Sequence, residues 1–193
     1  MKFTKKDLFS SLITGFYTGL IAWQILVFLG KPSVMGYSFG WLMVIVPILW
    51  IFGVNLGYFL GRWIVFFNQF GKFAAIGFTN AAVDFGVLNV LIAWSSVATG
   101  ILYAVFKTIS FIVSVTHSYY WNRQWVFQSQ SQEKGKEFFD FISVYIVAWA
   151  INVGAATAVV TWVDPMFGLS QNAWANVGAV IGSAVALVFS FTG

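Results

Sequence analysis

Unbroken apolar stretches of about 20 residues make up most of this chain, and no other feature restricts its fold as much. A stretch of that length crosses the hydrocarbon core as a helix, because lipid offers no partner for backbone N–H and C=O groups. The alternative, a closed barrel, uses strands about half as long that alternate in polarity. Neither property is present here. Only 8% of the residues are charged and 60% are hydrophobic, with a mean hydropathy of +0.84. A water-soluble domain carries roughly 25% charged residues, so these charges are too few to cover a water-facing surface.

The apolar stretches lie at roughly 8–29, 41–60, 73–94, 99–121, 140–163 and 172–192. They predict an all-α, polytopic membrane protein of about six transmembrane helices, arranged as three antiparallel hairpins. Six spans nearly exhaust 193 residues and leave no room for a soluble catalytic domain. The basic start MKFTKKD resembles a signal peptide, but the apolar run behind it is too long and lacks a small-residue cleavage site. It is expected to be a retained first helix. Pro47 falls inside the second span, where a bundle tolerates the kink.

Orientation follows from the loop cations. Lys2, Lys5 and Lys6 precede the first span, Arg62 and Lys72 separate the second from the third, and Arg123, Lys134 and Lys136 follow the fourth. The opposite side holds only Lys31. Both termini are therefore expected in the cytoplasm. Lys134 and Lys136, beside Glu133 and Glu137, read as a solvated loop.

The hairpins show signs of a parallel internal repeat. GYFLGRWIVF (57–66) aligns with SYYWNRQWVF (118–127), placing Arg62 on Arg123, and Asp84 aligns with Asn152. Chance similarity in a narrow membrane alphabet is the competing explanation. Small residues recur at packing distance: Gly53, Gly57 and Gly61, then Gly178, Gly182, Ala186 and Ser190. These ridges favour packing within the monomer over a homo-oligomer seam.

The absence of cysteine excludes disulfides, thiol chemistry and Cys-based metal sites, and one histidine cannot build a metal centre alone. No nucleophile–base–orienter set or phosphate-binding glycine loop is present, so no enzyme, no cofactor and no nucleic-acid partner are expected. The intramembrane charges are more informative. Asp84 lies about 17 Å above the cytoplasmic boundary, and Lys107, on the next span, about 12 Å below the outer one. In a core about 30 Å thick these depths agree within a turn, so an Asp84–Lys107 pair is expected. Such a pair either locks helix register or serves a polar cavity. Because apolar replacements of buried pairs are often neutral or stabilising, the cavity is favoured.

Asn80 lies one turn before Asp84, and Asn152 offers an amide at similar depth. Ser110, Ser114 and His117 continue the stripe of Lys107. Together they could line a hydrophilic groove; singly each reads as a helix–helix hydrogen bond, and His117 as an interfacial residue. Arg123, with Asn122 beside it, and Arg62 end their helices at the cytoplasmic rim. A guanidinium binds phosphate bidentately, so they are candidates for a lipid phosphate. The competing reading is rim anchoring beside Trp63, Trp125 and Phe127 in an aromatic belt.

KFAAIGFTNAAVDFG, then SYYWNRQWVF, then FFDFISVYIVAWAINVG together resemble the GtrA-like membrane proteins. Phe73, Gly77, Asp84, Asn122, Arg123, Trp125, Val126 and Phe127 fit that family's pattern. The likeness implies a four-helix core over 71–193, with 1–70 as an additional N-terminal hairpin. It also implies a bacterial inner-membrane protein that moves polyprenyl-phosphate-linked sugars for cell-surface polysaccharide synthesis. The alternative it offers is an anchoring or stabilising subunit of a polyprenyl-phosphate glycosyltransferase. A small-cation or drug exporter is a third reading, weakened because Lys107 neutralises Asp84. GtrA-like proteins usually continue, where this chain ends in FTG, into a basic-aromatic end resembling WVF.

Overall fold

The computed structural model describes residues 2–31, 33–128 and 134–192, the side chains of 134–138, 140–144 and 187–192 excepted. The helices are α1 (Lys5–Phe28), α2 (Leu42–Leu60), α3 (Phe67–Ser95), α4 (Gly100–Trp121), α5 (Lys134–Trp162) and α6 (Gln171–Thr192). A π-helical turn, Asn122–Val126, closes α4. The α1–α2 connection carries β1 (Ser33–Val34) and β2 (Tyr37–Ser38), paired antiparallel. Met35 and Gly36, both with positive φ, make the tight turn between them.

Six helices stand where six spans were expected. Among the described residues, five are long and apolar enough to cross a membrane, and α6 has a matching length of 22 residues. Two starts differ. α3 begins six residues earlier than hydropathy placed it and α5 does the same, at Lys134. Hydropathy marks where a helix enters lipid, while backbone hydrogen bonding continues into the polar flank. Lys134 therefore belongs to a helix rather than a loop; its side chain, like those of Lys136 and Ser190, lies outside the described residues.

The chain divides into two compact units. One comprises Met1–Val83 with Ser114–Ser131, the other Asp84–Val113 with Gln132–Gly193. α3 and α4 thus contribute one part to each.

In the first unit, α1 starts at a capping box, in which Thr4 and Asp7 satisfy each other's backbone N–H groups. Its buried residues are Asp7, Ser10, Ser11, Thr14, Gly15, Thr18 and Gly19, while Phe9, Leu12, Ile13 and Phe16 are exposed. Such a helix is inverted relative to a soluble one, as expected when lipid surrounds it and small residues make the contacts. A Cβ on Gly15 would stand 2.5 Å from Pro47 Cα, so the Pro47 turn of α2 lies directly on α1. Gly57 of α2 meets Gly71 of α3 in the same way, within 3.3 Å. Val54, Tyr58, Ala75, Ile76, Trp125 and Val126 form the core, with Phe3, Trp50 and Trp121 against it.

In the second unit α5 and α6 form a hairpin. Gly178 and Gly182 of α6 lie on the Ala156 turn of α5, so this ridge packs within the monomer as expected. Tyr103 of α4 donates to the Ala175 carbonyl at 2.8 Å. Asn89 of α3 and Asn176 of α6 exchange amide hydrogen bonds at 2.7 and 2.8 Å. Trp149 Nε1 of α5 donates to Thr108 at 3.3 Å.

Candidate functional site

Asp84 and Lys107 meet. In the second unit Lys107 Nζ donates to Asp84 Oδ2, and Ser110 Oγ donates to the other carboxylate oxygen at 2.6 Å. Lys107 is fully buried and Asp84 is 7% exposed. The ammonium lies 5.9 Å from the centroid of the Phe85 ring, which adds cation–π attraction. A four-residue link, 96–99, sets α3 and α4 antiparallel, so equal depth brings the two residues side by side. The group is electrically neutral as a whole. Its ammonium and carboxylate bond one another and Ser110 with capacity to spare, and incoming hydroxyl groups can exchange into such a set without changing its charge.

Asn152 shares this unit, but its Nδ2 donates to Ser183 Oγ of α6 at 3.1 Å. Its Oδ1 is buried without a partner. The remaining predicted residues belong to the first unit. Asn80 is half-buried with an unpartnered Oδ1. His117 Nε2 shares a 2.6 Å hydrogen bond with the Tyr17 hydroxyl, and Trp121 lies against its ring. Ser114 is buried. Asn122 is buried and donates to Ser118 Oγ at 3.0 Å. Arg123 is half-buried, whereas Arg62 is exposed with its guanidinium 5.5 Å from the Phe59 centroid.

The predicted equivalence of the segments 57–66 and 118–127 does not extend to their surroundings. Ile64, the residue aligned with Trp125, is 56% exposed beside Trp63 at 67% in a run of turns after α2, whereas Trp125 is fully buried in the π-helical turn. Trp125 therefore leaves the aromatic belt and becomes a core residue. The extra residue per turn of a π-helix re-aims the side chain inward.

What it is aimed at escaped the sequence reading. Asp7, 1% exposed, accepts from Trp125 Nε1 at 2.9 Å and from the Tyr58 hydroxyl at 3.1 Å. It also accepts from Thr4 N and Oγ1 at 2.9 and 2.8 Å, and pairs with Lys72 at 3.2 Å. Lys72, expected as a rim cation, is 3% exposed. The reason is local: its carboxylate partner is buried with it. A signal was available, because Asp7 is the sole acidic residue before Asp84 and stands three residues after Thr4 in a capping pattern.

Comparison with known proteins places these features in a family. The GtrA/DPMS transmembrane domain matches residues 72–193. The uncharacterized membrane protein YngA of Bacillus subtilis is 32% identical over 81 residues, which is 42% of this chain and 51% of that protein. The chain thus spans about half the length of this curated relative. No solved structure matches. The matched region holds both buried lysines, Asp84 and the Asn122–Phe127 segment, on helices that cross a membrane. The chain is a multi-pass membrane protein that belongs to the GtrA/DPMS transmembrane domain family.

Proposed function

We propose that the protein translocates a polyprenyl-phosphate-linked sugar across the bacterial inner membrane, in service of cell-surface polysaccharide synthesis. Membership in the GtrA/DPMS family supports the ligand class. The observation that carries the reading is the neutral Asp84–Lys107–Ser110 set buried within two membrane-crossing helices. A sugar is a collection of hydroxyl donors and acceptors that must leave water. The carboxylate accepts from such hydroxyls and the ammonium donates to their oxygens, so the set substitutes for water while carrying no net charge.

The remaining steps follow from chemistry and polarity. Arg62 and Arg123, at helix ends on the side that loop cations assign to the cytoplasm, hold the phosphate. Asn80 and Asn152 offer amides to the passing head group, and the polyprenyl tail stays in lipid. No bond is made or broken, so the protein acts as a carrier and not as an enzyme.

Asp84→Ala tests this. Reconstituted in proteoliposomes with a fluorescent or radiolabelled polyprenyl-phosphate sugar, the wild-type protein moves the lipid between leaflets. The variant is expected to elute as a folded protein and to lose transfer. Wild-type flipping by a folded Asp84→Ala protein refutes the mechanism. If the wild-type protein moves no lipid yet co-purifies with a glycosyltransferase, the anchoring-subunit reading replaces it.

A further inference from the structure

The first unit contains a second set of buried polar groups that the translocation reading does not use. Two contacts fix the register of α1 against the end of α4: Asp7 with Trp125, and Tyr17 with His117. The two contacts are ten positions apart along α1, about 15 Å, and eight positions apart along the α4 end, about 12 Å. Ser11 stands about 6 Å along α1 from Asp7, and Asn122 about 4 Å from Trp125 on the facing segment. The two residues therefore share a level.

Both are more than nine-tenths buried, at 0% and 6% exposure, and each has an oxygen without a hydrogen-bond partner, Ser11 Oγ and Asn122 Oδ1. His117 Nδ1, one level deeper, is a third unpartnered atom. Ser11 is anomalous even on its own helix. Thr14 and Thr18 satisfy their hydroxyls on the carbonyls four residues back, at 2.7 and 2.6 Å, and Ser11 does not. In a dry seam each of these groups would suffer its full desolvation cost unrelieved. Buried polar groups in proteins are otherwise paired with protein or with ordered water.

We infer that ordered water molecules occupy the seam between α1 and the end of α4, bonding Ser11 Oγ, Asn122 Oδ1 and His117 Nδ1. The donor–acceptor inventory suits water. Asn122 Oδ1 only accepts, the Ser11 hydroxyl does both, and the imidazole nitrogen does either according to tautomer. A metal cation is excluded by charge, since Asp7, the carboxylate at the seam's end, is already held by Lys72. The seam links His117 to the helix end at Asp7, where Lys6 Nζ, on the exposed side, donates to the Gln124 carbonyl at 2.6 Å. The sole histidine of the chain, with Tyr17 and Trp121 against its ring, thus borders this water on its Nδ1 side. This inference does not depend on the translocation reading.

Because His117 is the sole histidine, a histidine-labelled protein gives one ring signal set. Solid-state NMR in lipid bilayers measures how fast water magnetisation reaches it. The expected result is transfer to the His117 ring nitrogens several-fold faster than to its own backbone amide, which sits within α4. Equal or slower transfer to the ring overturns the inference. Ser11→Ala gives a second arm, with Leu12→Ala, exposed on the same helix, as control. If water bonds the hydroxyl, Ser11→Ala slows transfer to His117 several-fold and lowers the melting temperature. A dry, unpaired hydroxyl gives the opposite: its removal leaves transfer unchanged and is neutral or stabilising. Should Ser11→Ala fail to fold, the wild-type measurement decides alone.

Discussion

Asp7→Ala should be among the most damaging single substitutions in the first unit, and the structure says why. The carboxylate collects Thr4, Tyr58, Trp125 and Lys72, and both it and Lys72 are almost fully buried. Hydrogen bonds in membrane proteins average only about 0.6 kcal/mol in double-mutant cycles, so the lost bonds account for roughly 2 kcal/mol. The ammonium of Lys72, 3% exposed and left without a counter-charge, supplies the other half. Breaking one side of a buried pair costs about 3–5 kcal/mol, and about 4 kcal/mol is expected here. Lys72→Met leaves the carboxylate with its neutral donors and should cost about 2 kcal/mol.

The double substitution Asp7→Ala with Lys72→Met removes the orphaned charge, so it should cost about 3 kcal/mol rather than the additive 6 or so. Equilibrium unfolding in mixed micelles with increasing dodecyl sulfate reads these values from tryptophan fluorescence. Two results would refute the reasoning: Asp7→Ala within about 1 kcal/mol of wild type, or singles that add in the double variant.

Three further outcomes test the packing. Gly19→Ala places a methyl on the Leu42 carbonyl and Gly182→Ala places one on the Asn152 carbonyl, so each should cost about 1–3 kcal/mol in the same titration. Gly77→Ala, whose new methyl meets nothing within 4 Å, should be neutral or gain up to about 1 kcal/mol. Trp125→Phe loses the bond to Asp7 and should cost about 1–2 kcal/mol, whereas Trp63→Phe, on an exposed ring, should stay within about 0.5 kcal/mol. Equal costs at the two tryptophans would refute the contrast between a buried, bonded ring and an exposed one.

The helices were legible because apolar length is a strong, local signal. The boundaries of α1, α2, α4 and α6 fall within a few residues of the hydropathy reading, and only the polar starts of α3 and α5 escaped it. The Asp84–Lys107 pair was legible for a different reason: a short link and a fixed rise per residue convert sequence position into depth. Lys72 was not, because counting loop cations treats each as solvated and gives no account of a partner brought in from the chain's far end. Trp125 failed similarly. The alignment placed Trp125 on Ile64, one residue after Trp63, but inward or outward direction was decided by a π-helical turn that residue identity does not encode. The pairing of Asn152 with Ser183 rather than with a charged residue is also a matter of which helix face meets which, and spacing alone leaves that open.

The N-terminal hairpin lies almost wholly outside the family match at 72–193, yet it does not pack as an appendage. Its Asp7 neutralises Lys72 and receives Trp125, and both of those residues lie within the match. Its Thr18 donates to Thr79 at 3.0 Å, and its Tyr17 holds His117. Lipid supplies no hydrophobic drive for helices to associate, so such polar nodes and close glycine contacts have to supply the specificity. Two of the chain's acidic residues, Asp7 and Asp84, are each buried against a lysine, one in each compact unit. The first is surrounded by donors from four segments and is saturated, which suits a lock. Among the described residues the second has only Lys107 and Ser110 against its carboxylate and keeps a little exposure, which suits the exchange of partners that the proposed translocation requires. Under the proposed translocation, the same chemistry, a lysine–aspartate pair inside a membrane, serves as a lock in one unit and as an exchanging group in the other, according to how many other donors each carboxylate has been given.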